Sequence, residues 1–168
     1  MSAAPKLPIV NEEADNEFAW NLAMAAVEFF YAQFEVSVRP KTPEKFKVRL
    51  ETGKTIRSEV DVIGKGVKAV LHLAMTEKAF LNVMNRMMGE TYTSINEENE
   101  SGITELINII YGSAKEFFGK DGVSLERALP RIVKATDINT RASKARNSIL
   151  IPFESESGTF ELIVAFEN

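Results

Sequence analysis

The sequence contains no cysteine and only one histidine, His72, among its 168 residues. The lack of cysteine excludes disulfides and thiolate chemistry, and it permits a reducing compartment. No apolar run approaches the roughly 18 residues of a membrane-spanning helix. The net charge of -4 provides no overall basic field that would attract nucleic acid or an anionic membrane. We therefore expect neither nucleic acid nor membrane among the partners of this chain.

Hydrophobic residues make up 45% of the chain, which is enough for one domain with a substantial core. The first residues are small and interrupted by proline, so we expect a flexible N-terminal tail over residues 1–12 and a single domain over 13–168. A basic start followed by an apolar stretch is missing, which argues against a secretory signal. The expected location is the cytoplasm.

Three segments have apolar residues at the three- and four-residue steps of a helix. Thr76 is a plausible N-cap for the second helix, and Gly89 is a plausible stop signal. An acidic run from Asn96 to Glu100 is favourable at the start of the third helix. The predicted helices span residues 13–34, 77–88 and 97–118.

Alternation of apolar and polar residues predicts the strands. It indicates a strand around 46–50, a hairpin over 57–75, a strand near 129–134 followed by a polar segment, and a final hairpin joining 148–153 to 160–166. One helix, a hairpin region, two helices and further strands make an α+β fold. We predict a mostly antiparallel sheet with three main helices.

The third helix has two different faces when its residues are placed about 100° apart. An apolar stripe is expected to face the core: Ile103, Leu106, Ile107, Ile110, Ala114, Phe117 and Phe118. Ser101, Glu105, Asn108 and Gly112 fall on the opposite side, and Lys115 borders it. A carboxylate and a carboxamide thus lie one turn apart on the solvated face. Gly112 would let another molecule approach closely.

Such a pair alone is weak evidence, because outward helix faces are polar by default. Glu13 and Asn16 have the same spacing and no expected role. The wider pattern is more specific: Ser101-x3-Glu105-x2-Asn108, with Pro130 on the following strand, resembles the motif of the CheC, CheX and FliY chemotaxis phosphatases. The spacing from Asn108 to Pro130 is one residue shorter than the usual spacing in that family. Because the motif occurs once, the chain is most similar to CheX.

The resemblance implies a phosphatase that removes the phosphoryl group from the phospho-aspartate of a CheY-like response regulator. In this scheme Asn108 orients the attacking water and Glu105 pairs with the active-site lysine of the receiver. Ser101, Gly112 and Lys115 are the expected partner-binding residues. The resemblance also implies a homodimer, no metal or cofactor of the chain's own, and Mg²⁺ on the receiver.

Two other functions are open at this point. The chain could be a CheX-like binding module that docks a receiver or motor component without hydrolysis. It could also be a structural dimer built through exposed strand edges.

Two further features have less specific interpretations. His72 has no partner for a catalytic dyad, so we expect an exposed or interface role. Residues 131–146 carry five basic residues, Arg131, Lys134, Arg141, Lys144 and Arg146, against Asp137 alone. This segment is interpreted as a solvated loop or as a docking patch for an acidic partner.

Overall fold

A computed structural model of the protein describes residues 12–48 and 53–167. Within these residues the chain forms four helices and seven strands. The helices are α1 (Glu12–Phe34), α2 (Glu77–Met88), α3 (Gly102–Gly119) and α4 (Ala135–Lys144). The strands are β1 (Arg39–Pro40), β2 (Glu44–Lys45), β3 (Thr55–Gly64), β4 (Val67–Thr76), β5 (Arg131–Ile132), β6 (Asn147–Ser155) and β7 (Gly158–Phe166).

The strands form one sheet in the order β1-β6-β7-β4-β3-β5, and β2 also pairs with β6. All of these pairings are antiparallel. The hairpin of β3 and β4 and the hairpin of β6 and β7 meet where β4 pairs with β7. The predicted α+β class with a mostly antiparallel sheet is confirmed.

The main core lies between one face of the sheet and helices α1, α2 and α3. Alternate residues of β4, including Leu71, Leu73 and Met75, are buried in this core. Phe18 of α1 stacks on Phe118 of α3 with ring centroids 4.7 Å apart. Burying each such side chain contributes about 1.5–3 kcal/mol. This packing fixes α3 on the sheet and leaves its other side facing outward.

The predicted ends of α2 are confirmed. The side chain of Thr76 accepts a hydrogen bond from the Ala79 amide at 3.3 Å, which satisfies a donor at the helix start. Gly89 adopts the left-handed conformation, with φ of 66°, and ends the helix.

The start predicted for α3 is wrong by about five residues, because residues 97–101 form turns before the helix begins. The side chain of Asn96 accepts hydrogen bonds from the amides of Glu98 and Asn99, and that of Asn99 accepts from the Asn96 amide. Such local bonds offer the backbone an alternative to the helical pattern. Ser101 therefore becomes the residue that precedes α3.

The polar segment predicted after residue 134 is in fact helix α4, which lies on the second face of the sheet. Only Ile138 and Ala142 of this helix are buried, so its apolar pattern is sparse. Ile138 packs with Leu150 of β6 and Ile163 of β7 in a separate small cluster. A fourth helix is thus added to the three that were predicted.

Two predicted strands differ from those observed. The strand near 129–134 is reduced to the two residues of β5, and residues 46–48 of the strand predicted around 46–50 form no strand, since β2 ends at Lys45. Residues 49 and 50 lie outside the described residues, as does the predicted N-terminal tail except for Glu12, where α1 begins. Within the described residues, no helix combines the length and the apolar character that crossing a bilayer requires.

Candidate functional site

The division of α3 into two faces is confirmed. On the inward side Ile103, Leu106, Ile107, Ile110, Ala114 and Phe118 are buried, and Phe117 is half-buried. The outward side presents the residues predicted from the motif, which are all exposed: Ser101, Glu105, Asn108 and Gly112.

Glu105 and Asn108 are both available to a partner. Within the described part of the chain, neither side chain has a hydrogen-bond or ion-pair partner. Since the apolar stripe holds α3 on the core, the positions of both residues are set by the helix rather than by a loop. A carboxylate acceptor and an amide with donor and acceptor groups are thus offered together to solvent.

Two glycines within α3, Gly102 and Gly112, have opposite environments. A Cβ at Gly102 would collide with the side chain of Met84, so this glycine allows the start of α3 to approach α2. A Cβ at Gly112 would meet nothing within 4 Å. Glycine inside a helix costs about 1 kcal/mol relative to alanine. Packing within the chain therefore does not explain Gly112, and the open space above it suits a closely approaching molecule.

Tyr111 connects α3 to the segment that contains Pro130. Its hydroxyl donates a hydrogen bond to the backbone carbonyl of Glu126 at 2.5 Å. Burial raises the pKa of Tyr111 to about 12, so the phenol remains a neutral donor at physiological pH. The Nζ of Lys115 lies 6.0 Å from the centroid of the Tyr111 ring, and Lys115 is half-buried. Sequence reasoning missed Tyr111, although it lies one turn after Asn108.

The edge of β3 holds the same segment. The amide of Glu126 donates to the carbonyl of Ile63 at 2.7 Å, and Leu125 forms a bridge with Gly64. A Cβ on Gly64 would lie 2.6 Å from the carbonyl oxygen of Ser124, so only glycine permits this approach. The segment reaches β5 through Pro130, which is half-buried.

A second cluster of polar side chains lies on the other face of the sheet and contains His72, Glu59, Arg131 and Arg141. The expectation of an exposed or interface role is wrong, since the His72 side chain is fully buried. Its Nδ1 lies 3.5 Å from a carboxylate oxygen of Glu59 but forms no hydrogen bond with it. Burial, reinforced by Arg141 and Arg131, lowers the pKa of His72 to about 3. The imidazole is therefore neutral near pH 7, and the contact with Glu59 is not an ion pair.

The basic residues 131–146 do not form the solvated loop of the first interpretation, because most of this segment lies in β5 and α4. The docking patch of the second interpretation stays a prediction. Arg131 contacts the buried Glu59 and lies 3.4 Å from Asp61, and Arg141 lies 3.8 Å from Asp61. Arg146 bonds to the carboxylate of Asp15 at 2.6 and 3.1 Å. Three of the five cations therefore hold elements of the fold together.

In the ranges 12–48 and 53–167, no three histidine, cysteine, aspartate or glutamate side chains converge to hold a metal ion. The described polar clusters are instead ion pairs and hydrogen-bonded groups. On the outward face of α3, by contrast, the polar groups of Glu105 and Asn108 have no partner within the described residues and are held on a rigid helix.

Comparison with known proteins bears on this geometry. Residues 58–154 match the protein family described as chemotaxis phosphatase CheX. No curated protein matches the sequence significantly. A CheC-like superfamily protein from Shewanella sp. PV-4 is similar in structure, with a TM-score of 0.75 and 24% identity over 95% of this chain and 100% of that chain.

Two further solved structures have the same fold. The chemotaxis protein CheX from Vibrio vulnificus has a TM-score of 0.73 and 21% identity, covering 90% of this chain and 99% of that one. A CheX–CheY–BeF3–Mg²⁺ complex from Borrelia burgdorferi contains a chain with a TM-score of 0.69 and 16% identity, covering 91% and 99%. At these identities the structural likeness concerns the fold alone.

Proposed function

The chain belongs to the CheX family of chemotaxis phosphatases, and we propose that it hydrolyses the phospho-aspartate of a CheY-like response regulator in the cytoplasm. One observation carries the proposal: Glu105 and Asn108 are exposed together on a helix face that is fixed by the core behind it. The related complex from Borrelia burgdorferi, which joins CheX to CheY, supports the class of partner.

Asn108 is the proposed catalytic residue. An acyl phosphate is already activated, and phosphoryl transfer has a loose transition state, so positioning of the attacking water dominates the catalysis. A carboxamide can accept a hydrogen bond from this water and donate one to the phosphoryl group, and it stays neutral at every relevant pH. Asn108 would enter the receiver site and hold the water in line with the bond that breaks.

Glu105 is the proposed orienting residue. Its carboxylate would pair with the active-site lysine of the receiver, which fixes the receiver relative to α3. Ser101, Gly112 and Lys115 are proposed to contact the receiver around this pair. The Mg²⁺ ion of the reaction belongs, in this proposal, to the receiver, and the chain contributes no metal or cofactor.

A homodimer is also proposed. At one end of the sheet β5 covers only a short part of β3, and at the other end β1 and β2 are two residues each. Such incompletely paired edges can extend a sheet into a second copy. A mass measurement in solution tests this part of the proposal, and a monomeric mass would contradict it.

The decisive experiment uses response regulators from the same genome, phosphorylated with a small phosphodonor in the presence of Mg²⁺. The wild-type chain should accelerate phosphoryl release from its cognate receiver, and Asn108→Ala should reduce this acceleration by at least about 100-fold. Asn16→Ala is the matched control, because Asn16 is an exposed asparagine on α1 with the same spacing from a glutamate.

The outcome separates the alternatives. Asn108→Ala should retain the wild-type unfolding free energy within about 0.5 kcal/mol, because the residue is exposed. Full activity of this variant would contradict the mechanism. If the wild-type chain binds a receiver but never accelerates phosphoryl release, it is a binding module and not an enzyme.

A further inference from the structure

The segment Glu126–Ile132, called the edge segment below, presents apolar side chains to solvent. Leu129 is 86% exposed and Ile132 is 46% exposed. Single exposed apolar residues are common on protein surfaces. Two of them within four residues, next to a candidate catalytic helix, need an explanation, particularly because the exposed positions of α3 include no large apolar side chain.

Hydrogen bonds hold both ends of the edge segment against α3. At one end the Tyr111 hydroxyl donates to the Glu126 carbonyl. At the other end Ile132 pairs with Ser58, whose hydroxyl donates to the carbonyl of Ile103 at 3.1 Å. The edge segment is therefore tied to α3 directly at Glu126 and through β3 at Ile132, so it runs beside α3 between these two points.

The edge segment lies on the side of α3 toward which Asn108 is turned. Asn108 and Tyr111 are three residues apart, about 300° around the helix axis, so their side chains lie on neighbouring parts of one side. Tyr111 reaches Glu126 from this side. A protein that covers Asn108 would therefore meet the edge segment next.

We propose that the edge segment is a second contact surface for the phosphorylated receiver, with Leu129 and Ile132 as its apolar contacts and Tyr111 as the residue that positions it. This inference rests on the proposed function. A protein interface usually has an apolar centre within a polar rim. The polar face of α3 lacks such a centre, and the edge segment supplies it.

Charge also favours a phosphorylated receiver as the occupant. Arg127 is exposed and has no ion-pair partner in the described ranges, and Lys115 lies over the ring of Tyr111. Lys115 lies beside the Tyr111 ring on α3, and Arg127 follows Glu126, the residue that Tyr111 holds, so both cations lie close to this connection. They are suited to the anionic surroundings of a phospho-aspartate, although the exposed Glu126 offsets part of their charge.

The test compares matched double variants. The probe is a receiver domain, chosen as a substrate of the wild-type chain, loaded with beryllium fluoride and Mg²⁺ for binding and phosphorylated for turnover. Leu129→Ser/Ile132→Ser should raise the Kd and the KM about tenfold and change kcat less than twofold. Tyr31→Ser/Met88→Ser is the control, since both of its apolar residues are exposed elsewhere, and it should leave all three values unchanged.

Tyr111→Phe tests the positioning role. Removing the hydroxyl should raise the KM about threefold with an unchanged kcat, whereas a general loss of folded protein would lower the apparent kcat and leave the KM constant. Combining Tyr111→Phe with the Leu129→Ser/Ile132→Ser variant should raise the KM little beyond that of the double variant, because the surface that Tyr111 positions is then already lost.

Two outcomes would overturn the inference while the proposed function stands. In the first outcome the wild-type chain is active, and Leu129→Ser/Ile132→Ser keeps the same KM and Kd as the wild type. The other is a change from dimeric to monomeric mass in this variant with unchanged receiver affinity, which would assign the surface to a second copy of the chain. Failure of the wild-type chain to act on any receiver contradicts the proposed function itself.

Discussion

The start of α1 and the first half of α3 carry the same Glu-x2-Asn spacing in different surroundings. In α3, Glu105 and Asn108 lie on an outward face and have no partner in the part of the chain that the structure describes. In α1 the spacing occurs in the first turn of the helix, around Asp15. That aspartate is buried and bonded to Arg146 and Asn147.

The comparison teaches that the spacing alone does not identify a functional pair, because in α1 the same spacing surrounds an aspartate that anchors the helix. Asp15, near the start of α1, ties the helix to residues at the start of β6, so its bonds contribute to the stability of the fold. The pair on α3 adds nothing comparable to stability, because the apolar stripe already holds the helix. Substitutions should therefore separate the two regions: one should lose stability and the other activity.

Asp15→Ala is expected to have the largest effect on stability. The Asp15 side chain is 1% exposed and that of Arg146 is 17% exposed, so the change leaves a largely buried guanidinium without its carboxylate. Removing one partner of a buried ion pair costs about 3 kcal/mol. Urea unfolding should show a loss of this size in the free energy of unfolding.

Asn16→Ala, next to Asp15 on the exposed side of α1, is the control and should change stability by less than about 0.5 kcal/mol. The folded fraction of Asp15→Ala should dephosphorylate a receiver at the wild-type rate. If Asp15→Ala costs no more stability than Asn16→Ala, the proposed division between anchoring and functional polar residues is wrong.

Much of the fold could be predicted because long periodic segments determine it. Helices α1 and α2 and both hairpins follow from apolar spacing and from caps such as Thr76 and Gly89. The two faces of α3 also follow from its sequence, since burial there depends only on helical geometry. The candidate site could be predicted for this reason, whereas the catalytic roles of its residues remain a proposal.

The rest depends on contacts between distant parts of the chain. Helix α4 buries only Ile138 and Ala142, too few residues to produce a clear period. The alternation of β4 places His72 on the face opposite the main core, which looks exposed until Glu59, Arg131 and Arg141 are brought to the same place. The start of α3 is decided by side chains of Asn96 and Asn99 that compete for backbone amides.

His72 lies on the second face of the sheet, and its titration is expected to change stability less than Asp15→Ala does and more than Gly112→Ala does. Its pKa in the folded chain is about 3, below the ordinary histidine value of 6.5, so the unfolded chain binds the proton more tightly. Stability is therefore greatest above pH 6.5 and falls as the pH decreases toward 3. Linkage gives a loss of about 2 kcal/mol between pH 7.5 and pH 5.

Denaturant unfolding across this pH range, with wild-type protein and His72→Gln, measures the effect. His72 is the only histidine of the chain, and the carboxylates with lowered pKa values, Glu77 and Glu154, titrate below this window. His72→Gln should therefore be much less sensitive to pH between 7.5 and 5. An equal slope in both proteins would contradict a buried, neutral imidazole.

Gly112→Ala has the smallest expected effect, but it tests the comparison most directly because stability and activity should change in opposite directions. Alanine is favoured over glycine within a helix by up to about 1 kcal/mol, and a Cβ at this position meets no neighbouring atom. The variant should therefore unfold at a higher urea concentration than the wild type. If a receiver must approach the backbone at Gly112, the KM for the phosphorylated receiver should rise about threefold.

Gly119→Ala provides the control, since Gly119 ends the same helix in equally open space and lies outside the motif. Equal KM values for the Gly112→Ala and Gly119→Ala variants would show that the open space above Gly112 is not used by the partner.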